Sequence, residues 1–319
     1  MSTHTPDQAT GTRNPADPLD AHGADPGDVA RGIAPPPAQK RRRARKGGGD
    51  GERAGWRWAT LAWVLTLLFV APVAWMVLTS FHTEADAATN PPSVFAPLTF
   101  DNYLAVFDRG VSTFLINSAI ASGVSTLLVL VLAVPAAYAL SIRPVEKWTD
   151  VMFFFLSTKF LPPIAALLPV YLIVKQIGML DNIYTLVVLY TAMNMPIAVW
   201  MMQSFLAEIP PEILEAAQVD GAGFLRTVWS IVTPMAAPGL AATALICFIF
   251  SWNEFMFAVN LTATVSSTSP VFLVGFISSQ GLFLAKLCAA ATLVSLPVLI
   301  AGFAAQDKLV RGLSLGAVK

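Results

Sequence analysis

The chain has 319 residues, of which 55% are hydrophobic and 13% charged, with 20 basic and 20 acidic side chains. An ordinary soluble domain carries about 25% charged residues, so this composition predicts a protein whose main solvent is lipid. The balanced sum says little, because the two signs lie in different parts of the chain, and we expect no nucleic acid partner. The 3 histidines and 2 cysteines share no metal-ligand spacing, so we predict no metal site.

Residues 1–56 are predicted to form a disordered cytoplasmic tail. They are rich in Ala, Asp, Gly and Pro, and they hold too few large apolar side chains to form a core. No secretory signal is found at the start of the chain. The basic run at residues 40–46 either binds nucleic acid or marks the cytoplasmic side of a membrane span, and its place just before such a span favours the second reading.

Six long apolar stretches follow and predict six transmembrane helices, at about residues 58–80, 113–140, 151–174, 183–205, 235–261 and 284–305. About 20 apolar residues suffice to cross a bilayer. Backbone groups in lipid must bond within their own segment, and these stretches lack the alternation of strands. The fold class is therefore an all-α membrane protein, with residues 57–319 as its six-helix domain.

The basic residues are distributed unevenly between the connecting segments. With the N-terminus inside, the cytoplasmic segments hold most of the Lys and Arg side chains, as the positive-inside rule requires. We therefore expect both termini in the cytoplasm of a bacterial cell. Residues 81–112 become an external segment, and residues 206–233 become the largest internal loop.

The internal loop is predicted to hold two short helices. Pro211 can open the first, and acidic Glu212 and Glu215 suit the positive end of its dipole. Gly221 permits a reversal of the backbone, after which a second helix runs to Pro234. The residues alone leave two readings open: a helical knob that contacts a partner, or an amphipathic segment that lies on the membrane surface.

A resemblance favours the first reading. The loop resembles the coupling segment of permease subunits of binding-protein-dependent, ATP-driven importers, whose pattern is Glu-Ala-Ala, three residues, Gly, nine residues, Ile-x-Leu-Pro. Residues 215–217, Gly221 and residues 231–234 match at that spacing, with Thr233 at the usual leucine. The resemblance implies contact with an ATPase subunit for Glu215, Ala216, Ala217, Asp220 and Gly221.

Further motifs resemble the carbohydrate-uptake branch of these permeases, of which the second maltose permease subunit is the best-known type. They lie at residues 117–118, 137–141, 251–255 and 309–319. Residues 161–163, 194–200 and 281–287 are most similar to mannitol and sorbitol permeases. The resemblance thus implies import of a sugar or polyol.

The same resemblance implies the partners. They are a second permease subunit, two ATPase subunits that bind ATP and Mg, and an extracellular lipoprotein or periplasmic solute-binding protein. This chain lacks a phosphate-binding loop of the Gly-x-x-x-x-Gly-Lys type, so we expect no cofactor of its own.

Two predicted breaks in the spans mark a candidate translocation path. Pro162 and Pro163 interrupt the third stretch, and Asn194 with Pro196 interrupts the fourth, each about 17 Å from the start of its span at 1.5 Å per residue. Proline frees backbone carbonyls that lipid cannot satisfy, so such backbone lines a cavity or packs on another helix. Kinks that only help helices pack remain an alternative.

Polar residues inside the spans are further candidates for the path. Asn253 and Glu254 could hydrogen-bond sugar hydroxyls, but a role in gate or interface structure is favoured. Lys159 either reaches the cavity or extends toward the cytoplasm along its own stem, and the second is slightly favoured.

Two other classes of protein fit less well. An ion-coupled secondary transporter needs carboxylates within its spans, where Glu254 stands nearly alone. A membrane enzyme needs a catalytic constellation, and no such motif is found. We therefore predict a non-catalytic translocation subunit.

Overall fold

A computed structural model describes residues 50–90, 93–142, 146–160, 163–278 and 281–317. The chain divides into two units, residues 1–60 and 61–319. The tail predicted at residues 1–49 lies outside the described residues. Residues 50–56, which we assigned to the tail, are instead the first turns of a helix, because adding residues to an existing helix costs far less than starting one.

The architecture is helical. In chain order the helices are α1 (Asp50–Thr79), α2 (Glu84–Ala87), α3 (Asp101–Asp108), α4 (Val111–Ser141), α5 (Trp148–Ser157), α6 (Pro163–Gln176), α7 (Ile183–Leu206), α8 (Pro211–Val219), α9 (Phe224–Arg226), α10 (Thr233–Met235), α11 (Ala237–Trp252), α12 (Met256–Leu261), α13 (Ser269–Val274) and α14 (Leu284–Ala317). A 3-10 helix, Thr158–Phe160, follows α5, and a π-helix, Thr227–Val232, joins α9 to α10. Strands β1 (Ile277–Ser278) and β2 (Gly281–Leu282) form a short antiparallel ladder that the all-α prediction did not include.

Four helices are long and apolar enough to cross a membrane: Gly55–Thr79, Val111–Ser141, Ile183–Leu206 and Leu284–Gln306. They coincide with four of the predicted stretches. The count reaches six only if each of two sharply bent helix pairs crosses the membrane as one span.

The first bent pair occupies the predicted third span. Trp148–Phe160 and Ile164–Gln176 meet at 89°, so the stretch consists of two short helices rather than one kinked rod. Pro162 lies outside the described residues, and Pro163 is the first residue of α6. A proline at that position needs no hydrogen-bond partner for its nitrogen, which suits the start of the second helix.

The second bent pair shows that the predicted fifth stretch is not continuous. Phe224–Met235 and Ala237–Trp252 meet at 84°. Beyond Trp252 the chain breaks again before α12, because Asn253 ends α11 and the Glu254 carboxylate accepts the first free N–H groups of the next helix. The stretch predicted at residues 235–261 is therefore divided between α11 and α12.

The predicted interruption of the fourth span is wrong. Helix α7 runs without a break through Asn194 and Pro196. Proline removes one helix hydrogen bond, and a packed neighbour can hold the remaining turns in place. Pro196 is buried among such neighbours.

The core of the bundle lies where α4 packs between α7 and α11. Buried side chains from these helices and α5 form one hydrophobic cluster, Val129, Ala133, Leu140, Met152, Ala198, Val199 and Cys247. A second cluster joins α6, α7 and α12 around Leu186 and Tyr190. By contrast, the apolar side chains Trp63, Leu67 and Phe69 of α1 are 63–77% exposed. Burial is thus concentrated on the helices between α4 and α14.

A polar turn holds α7 to the segment after α12. Asp181 has a φ of 55°, and its carboxylate accepts hydrogen bonds from the backbone N–H groups of residues 263–266 at 2.9–3.0 Å. Burial alone would raise the pKa of Asp181, but these N–H donors hold that pKa well below its usual range. A single carboxylate therefore fixes this turn.

We predict that Asp181→Asn lowers the thermal unfolding midpoint at pH 7, whereas Asp108→Asn, at an exposed position, leaves it unchanged. Because the pKa of Asp181 is depressed in the folded state, its stabilisation is present above the ordinary carboxyl pKa of about 4 and is lost as the pH falls further. The difference between wild type and Asp181→Asn should therefore narrow below about pH 4. A difference that does not change between pH 7 and pH 3 would contradict this account.

Close packing of α11 on α7 requires a glycine. A Cβ atom at Gly239 would collide with the ring of Phe205, since the two lie in direct contact. Gly123 in α4 has no atom within 4 Å of the corresponding position and provides a matched control.

We predict that Gly239→Ala destabilises the detergent-solubilised protein by about 1–3 kcal/mol, the usual cost of overpacking. Gly123→Ala should be neutral or slightly stabilising, because alanine favours a helix over glycine. Phe205→Leu should restore part of the loss in the double variant. Thermal unfolding midpoints of the four proteins measure this. Equal midpoints for Gly239→Ala and Gly123→Ala would show that Phe205 moves aside freely.

Candidate functional site

The first helix of the internal loop, α8, has a defined start and end. Pro210 is extended, with φ −59° and ψ 133°, and Pro211 occupies the first helical position. At the other end Gly221 has a φ of 69°. Its N–H donates to the Gln218 carbonyl at 3.0 Å, and the Ala222 N–H donates to the Ala217 carbonyl at 2.9 Å. This pair of bonds is a Schellman motif, which explains the glycine.

The second half of the loop is helical from α9 to α10, as predicted, but its middle is a π-helix. The Thr233 hydroxyl donates to the Val228 carbonyl, five residues earlier, at 2.7 Å. The permease pattern has leucine at this position. The threonine of this chain therefore adds a side-chain hydrogen bond to the π-helix that leucine could not make. Sequence reasoning missed the π-helix, and a threonine directly before Pro234 was the only local signal.

The loop is seated on the ends of two long helices. Leu214 of α8 and Val228 and Val232 of the π-helix share one buried cluster with Val134, Ala137, Tyr138, Met202 and Leu206 of α4 and α7. The Tyr138 and Phe224 rings meet edge to face, with centroids 5.6 Å apart. Residues 137–138 belong to a motif that carried the family resemblance, and here they form the seat of the loop. The loop therefore packs on protein as well as presenting an outer surface.

The structure divides the predicted coupling residues into two groups. Glu215, Ala216, Asp220 and Gly221 are exposed. Ala217 is 5% exposed, so within this subunit it does not belong to the outer surface of the loop. Positions three apart lie on the same side of a helix, and residues 214 and 217 are therefore both turned inward.

Two exposed apolar side chains of the loop were not among the predicted residues. Val219 is 88% exposed at the end of α8, and Leu225 is 68% exposed in α9. Together with the exposed coupling residues they form the outer surface of the loop. Apolar side chains within a polar rim are typical of a protein contact.

The bend between α5 and α6 borders a cavity of about 530 Å³. Its lining includes Thr158, Lys159, Ala165, Ala192, Pro196 and Phe257. The structure thus brings Lys159 and Pro196, two of the predicted path residues, to one space.

The Lys159 ammonium does not extend along the direction that we favoured. It lies 5.8 Å from the centroid of the Phe250 ring. Phe250 is close to the end of α11, about 20 Å from the loop end at 1.5 Å per residue. The side chain therefore extends toward α11 and away from the loop.

Asn194 does not line this cavity. It is fully buried, and its amide nitrogen donates to the Tyr190 carbonyl at 3.0 Å and to the Ser251 hydroxyl at 2.9 Å. Ser125 of α4 donates to the same Ser251 oxygen at 3.2 Å. These contacts place Asn194 between α7, α4 and α11, where its side chain has a packing role.

Glu254 and Asn253 lie at the break after α11. The two Glu254 carboxylate oxygens accept the N–H groups of Phe257 at 2.8 Å and Ala258 at 3.2 Å. The Asn253 amide donates to the Ile249 carbonyl of its own helix at 2.8 Å, and its side chain is otherwise exposed. The Glu254 geometry is that of a helix cap, which gives this carboxylate a structural role.

Other polar side chains link distant segments and were not singled out from the sequence. Asn117 donates to the carbonyls of Val265 and Ser267 at 2.8 and 3.0 Å, and the Ser118 hydroxyl accepts the Ser269 N–H at 2.8 Å. These two residues also belong to a motif of the resemblance. Among the residues that the structure describes, no group of three or more His, Cys, Asp or Glu side chains lies close enough to hold a metal ion.

Comparison with known proteins agrees with this architecture. The family described as binding-protein-dependent transport system inner membrane component matches residues 129–315. A probable ABC transporter permease of Sinorhizobium fredii, y4oR, is 37% identical over 262 residues, which are 82% of this chain and 94% of that protein. The trehalose transport system permease SugB of Mycobacterium tuberculosis is 31% identical over 277 residues, covering 84% and 99% of the two chains.

Among solved structures, a bacterial ABC transporter involved in the import of the acidic polysaccharide alginate has a chain of the same fold. The TM-score is 0.67 at 22% identity, with 82% of this chain and 98% of that chain covered. The family match spans α11, the loop and most of the bundle, and the relatives extend it toward the N-terminus. The chain belongs to the family of inner membrane components of binding-protein-dependent transport systems.

Proposed function

We propose that this chain is the permease subunit of an ATP-driven importer that moves a sugar or polyol into a bacterial cell. The main support for the proposal is the structure of the internal loop, which has an exposed outer surface and an inner surface packed on the bundle. Its outer surface presents Glu215 and Asp220 next to apolar Val219, while its inner surface shares a core with α4 and α7. Because the loop shares this core, a partner that displaces the loop would also displace α4 and α7.

The mechanical path runs through packed side chains. The loop cluster touches the ends of α4 and α7, and α4, α7 and α11 are packed together above it. Packed interiors shift as rigid units, since they do not deform smoothly. Closure of two ATPase subunits against the loops would therefore rotate these helices and change the opening of the cavity beside Pro196.

The proposed assembly holds a second permease subunit, two ATPase subunits that bind ATP and Mg, and an extracellular solute-binding lipoprotein or periplasmic protein. The apolar surface of α1 around Trp63 and Phe69 is exposed and suits lipid or the second permease. The distribution of basic residues supports a cytoplasmic position for both termini. The present chain is the translocation subunit, and hydrolysis belongs to its partners.

The solute class rests on similarity. Trehalose is named as the solute of a relative that this chain matches over 84% of its length. The resemblance of residues 161–163, 194–200 and 281–287 to mannitol and sorbitol permeases narrows the proposal to polyols and small sugars. An ion-coupled transporter is disfavoured, because Glu254 is engaged as a helix cap.

The loop proposal predicts the effect of two substitutions. Gly221→Pro would force a φ near −65° where the backbone has 69°, and it would remove the N–H that bonds to Gln218. Glu215→Lys reverses the charge of the exposed surface of α8. We expect normal membrane insertion and pairing with the second permease, but at least a tenfold loss of ATPase co-purification and of hydrolysis stimulated by the loaded binding protein.

The matched control is Gly223→Ala, since Gly223 has an ordinary φ of −70° and open space around it. It should retain wild-type association and stimulated hydrolysis in lipid vesicles. Wild-type behaviour of both Gly221→Pro and Glu215→Lys would mean that the loop is only a membrane-surface helix.

The cap geometry predicts that Glu254→Gln affects stability and not solute choice. An amide offers one acceptor oxygen in place of two, so one N–H of α12 loses its partner, at a cost of about 1 kcal/mol. We expect a lower thermal unfolding midpoint and an unchanged ranking of transported solutes, while Asn253→Ser leaves both unchanged. A changed ranking in Glu254→Gln would place this carboxylate in the solute site.

A further inference from the structure

We propose that the cavity beside the α5–α6 bend is an anion-accepting site on the translocation path, with Lys159 as its counter-charge. The solute would then be a polyhydroxylated compound that carries an acidic group, such as a sugar acid. This inference rests on the proposed function and narrows its solute class.

The described lining of the cavity carries a positive charge and no negative charge. Lys159 lines it, and no carboxylate is found in its described lining. The ammonium lies over the face of Phe250 of α11, a residue outside this lining, at 5.8 Å from the ring centroid. Thr158, the other polar side chain of the lining, donates its hydroxyl to the Phe155 carbonyl at 2.6 Å. The positive charge therefore has no counter-charge in the cavity wall.

The opposite wall offers an acceptor. Proline has no N–H, so Pro196 cannot donate to the Ala192 carbonyl, as the residue at this place in a helix normally does. Ala192 and Pro196 both line the cavity. A hydroxyl of a bound solute can donate to that carbonyl, while Lys159 faces an acidic group.

The rest of the lining is mostly apolar and would strengthen an ion pair between Lys159 and an acidic solute. Val170, Met193 and Phe257 are apolar, and a weakly polar wall screens charges less than water does. A neutral polyol would leave the ammonium unpaired in this setting. An anionic solute supplies the missing partner and forms a charge-assisted hydrogen bond. The geometry thus favours acidic over neutral solutes.

The electrostatic claim can be tested without knowing the solute. In the assembled importer in lipid nanodiscs, Cys247 and Cys288 are replaced by alanine and Ala192→Cys is introduced. Sulfonatoethyl and trimethylammonioethyl methanethiosulfonate, reagents of similar size and opposite charge, are then compared. We expect the anionic reagent to react faster, and the ratio of the two rates to fall by about tenfold in Lys159→Met and to be kept in Lys159→Arg.

Leu98→Cys, in the segment before α3 and 68% exposed, is the control site and should show no dependence on Lys159. A rate ratio at Ala192→Cys that Lys159→Met leaves unchanged would overturn the proposal. So would a cysteine at position 192 that neither reagent reaches.

The solute class is tested by protection of the same cysteine. Gluconate and sorbitol have the same carbon chain and differ in one terminal carboxylate. We expect gluconate to slow labelling at least fivefold more than sorbitol, and this difference to vanish in Lys159→Met. Equal protection, or protection by neither compound, would reject an acidic solute. These labelling experiments use the wild-type loop and no ATP, so failure here and failure of the loop experiments are separate results.

Discussion

Free backbone N–H groups at helix starts and in turns are the constraint on which this structure depends. Such groups have no partner within their own helix, and lipid cannot supply one. Three carboxylates accept them in the described residues: Glu84 at the start of α14, Asp181 in the turn of residues 263–266, and Glu254 at the start of α12. Glu84 and Asp181 join segments that are distant in the chain, whereas Glu254 caps the helix that follows it. The few acidic residues near the spans are thus mostly occupied in holding the fold.

The loop at residues 206–233 packs on α4 and α7 with its inner surface and exposes its outer surface. Its Schellman turn at Gly221 and its inward-facing Leu214 and Ala217 give it one position relative to α4 and α7. The π-helix widens the second half, and Thr233 satisfies a carbonyl within it. This arrangement suits the proposed coupling role. A flexible loop would change shape when a partner moved it, and the movement would not reach α4 and α7.

Two sets of polar residues inside the bundle have different surroundings. Ser251 hydrogen-bonds with Asn194 and Ser125 in the interior, where these bonds fix the contact of α7 with α4 and α11. Lys159 lies instead at the lining of a cavity. A charged group in a span is costly unless it meets water or a partner, so its place at a cavity has a functional explanation.

The sequence by itself determined the class of protein, the approximate bounds of the four long helices, the two-helix loop and the family, because hydrophobic length and the spacing of a short motif are local properties. It also predicted the bend between Phe160 and Ile164, since proline acts on its own turn. Only the tertiary structure decided that α7 passes straight through Pro196, that Asn194 and Ala217 turn inward, that the fifth stretch breaks after Trp252 and that Lys159 reaches the cavity. Each of these depends on which neighbour supplies a hydrogen bond or fills a space, and those neighbours are distant in the chain.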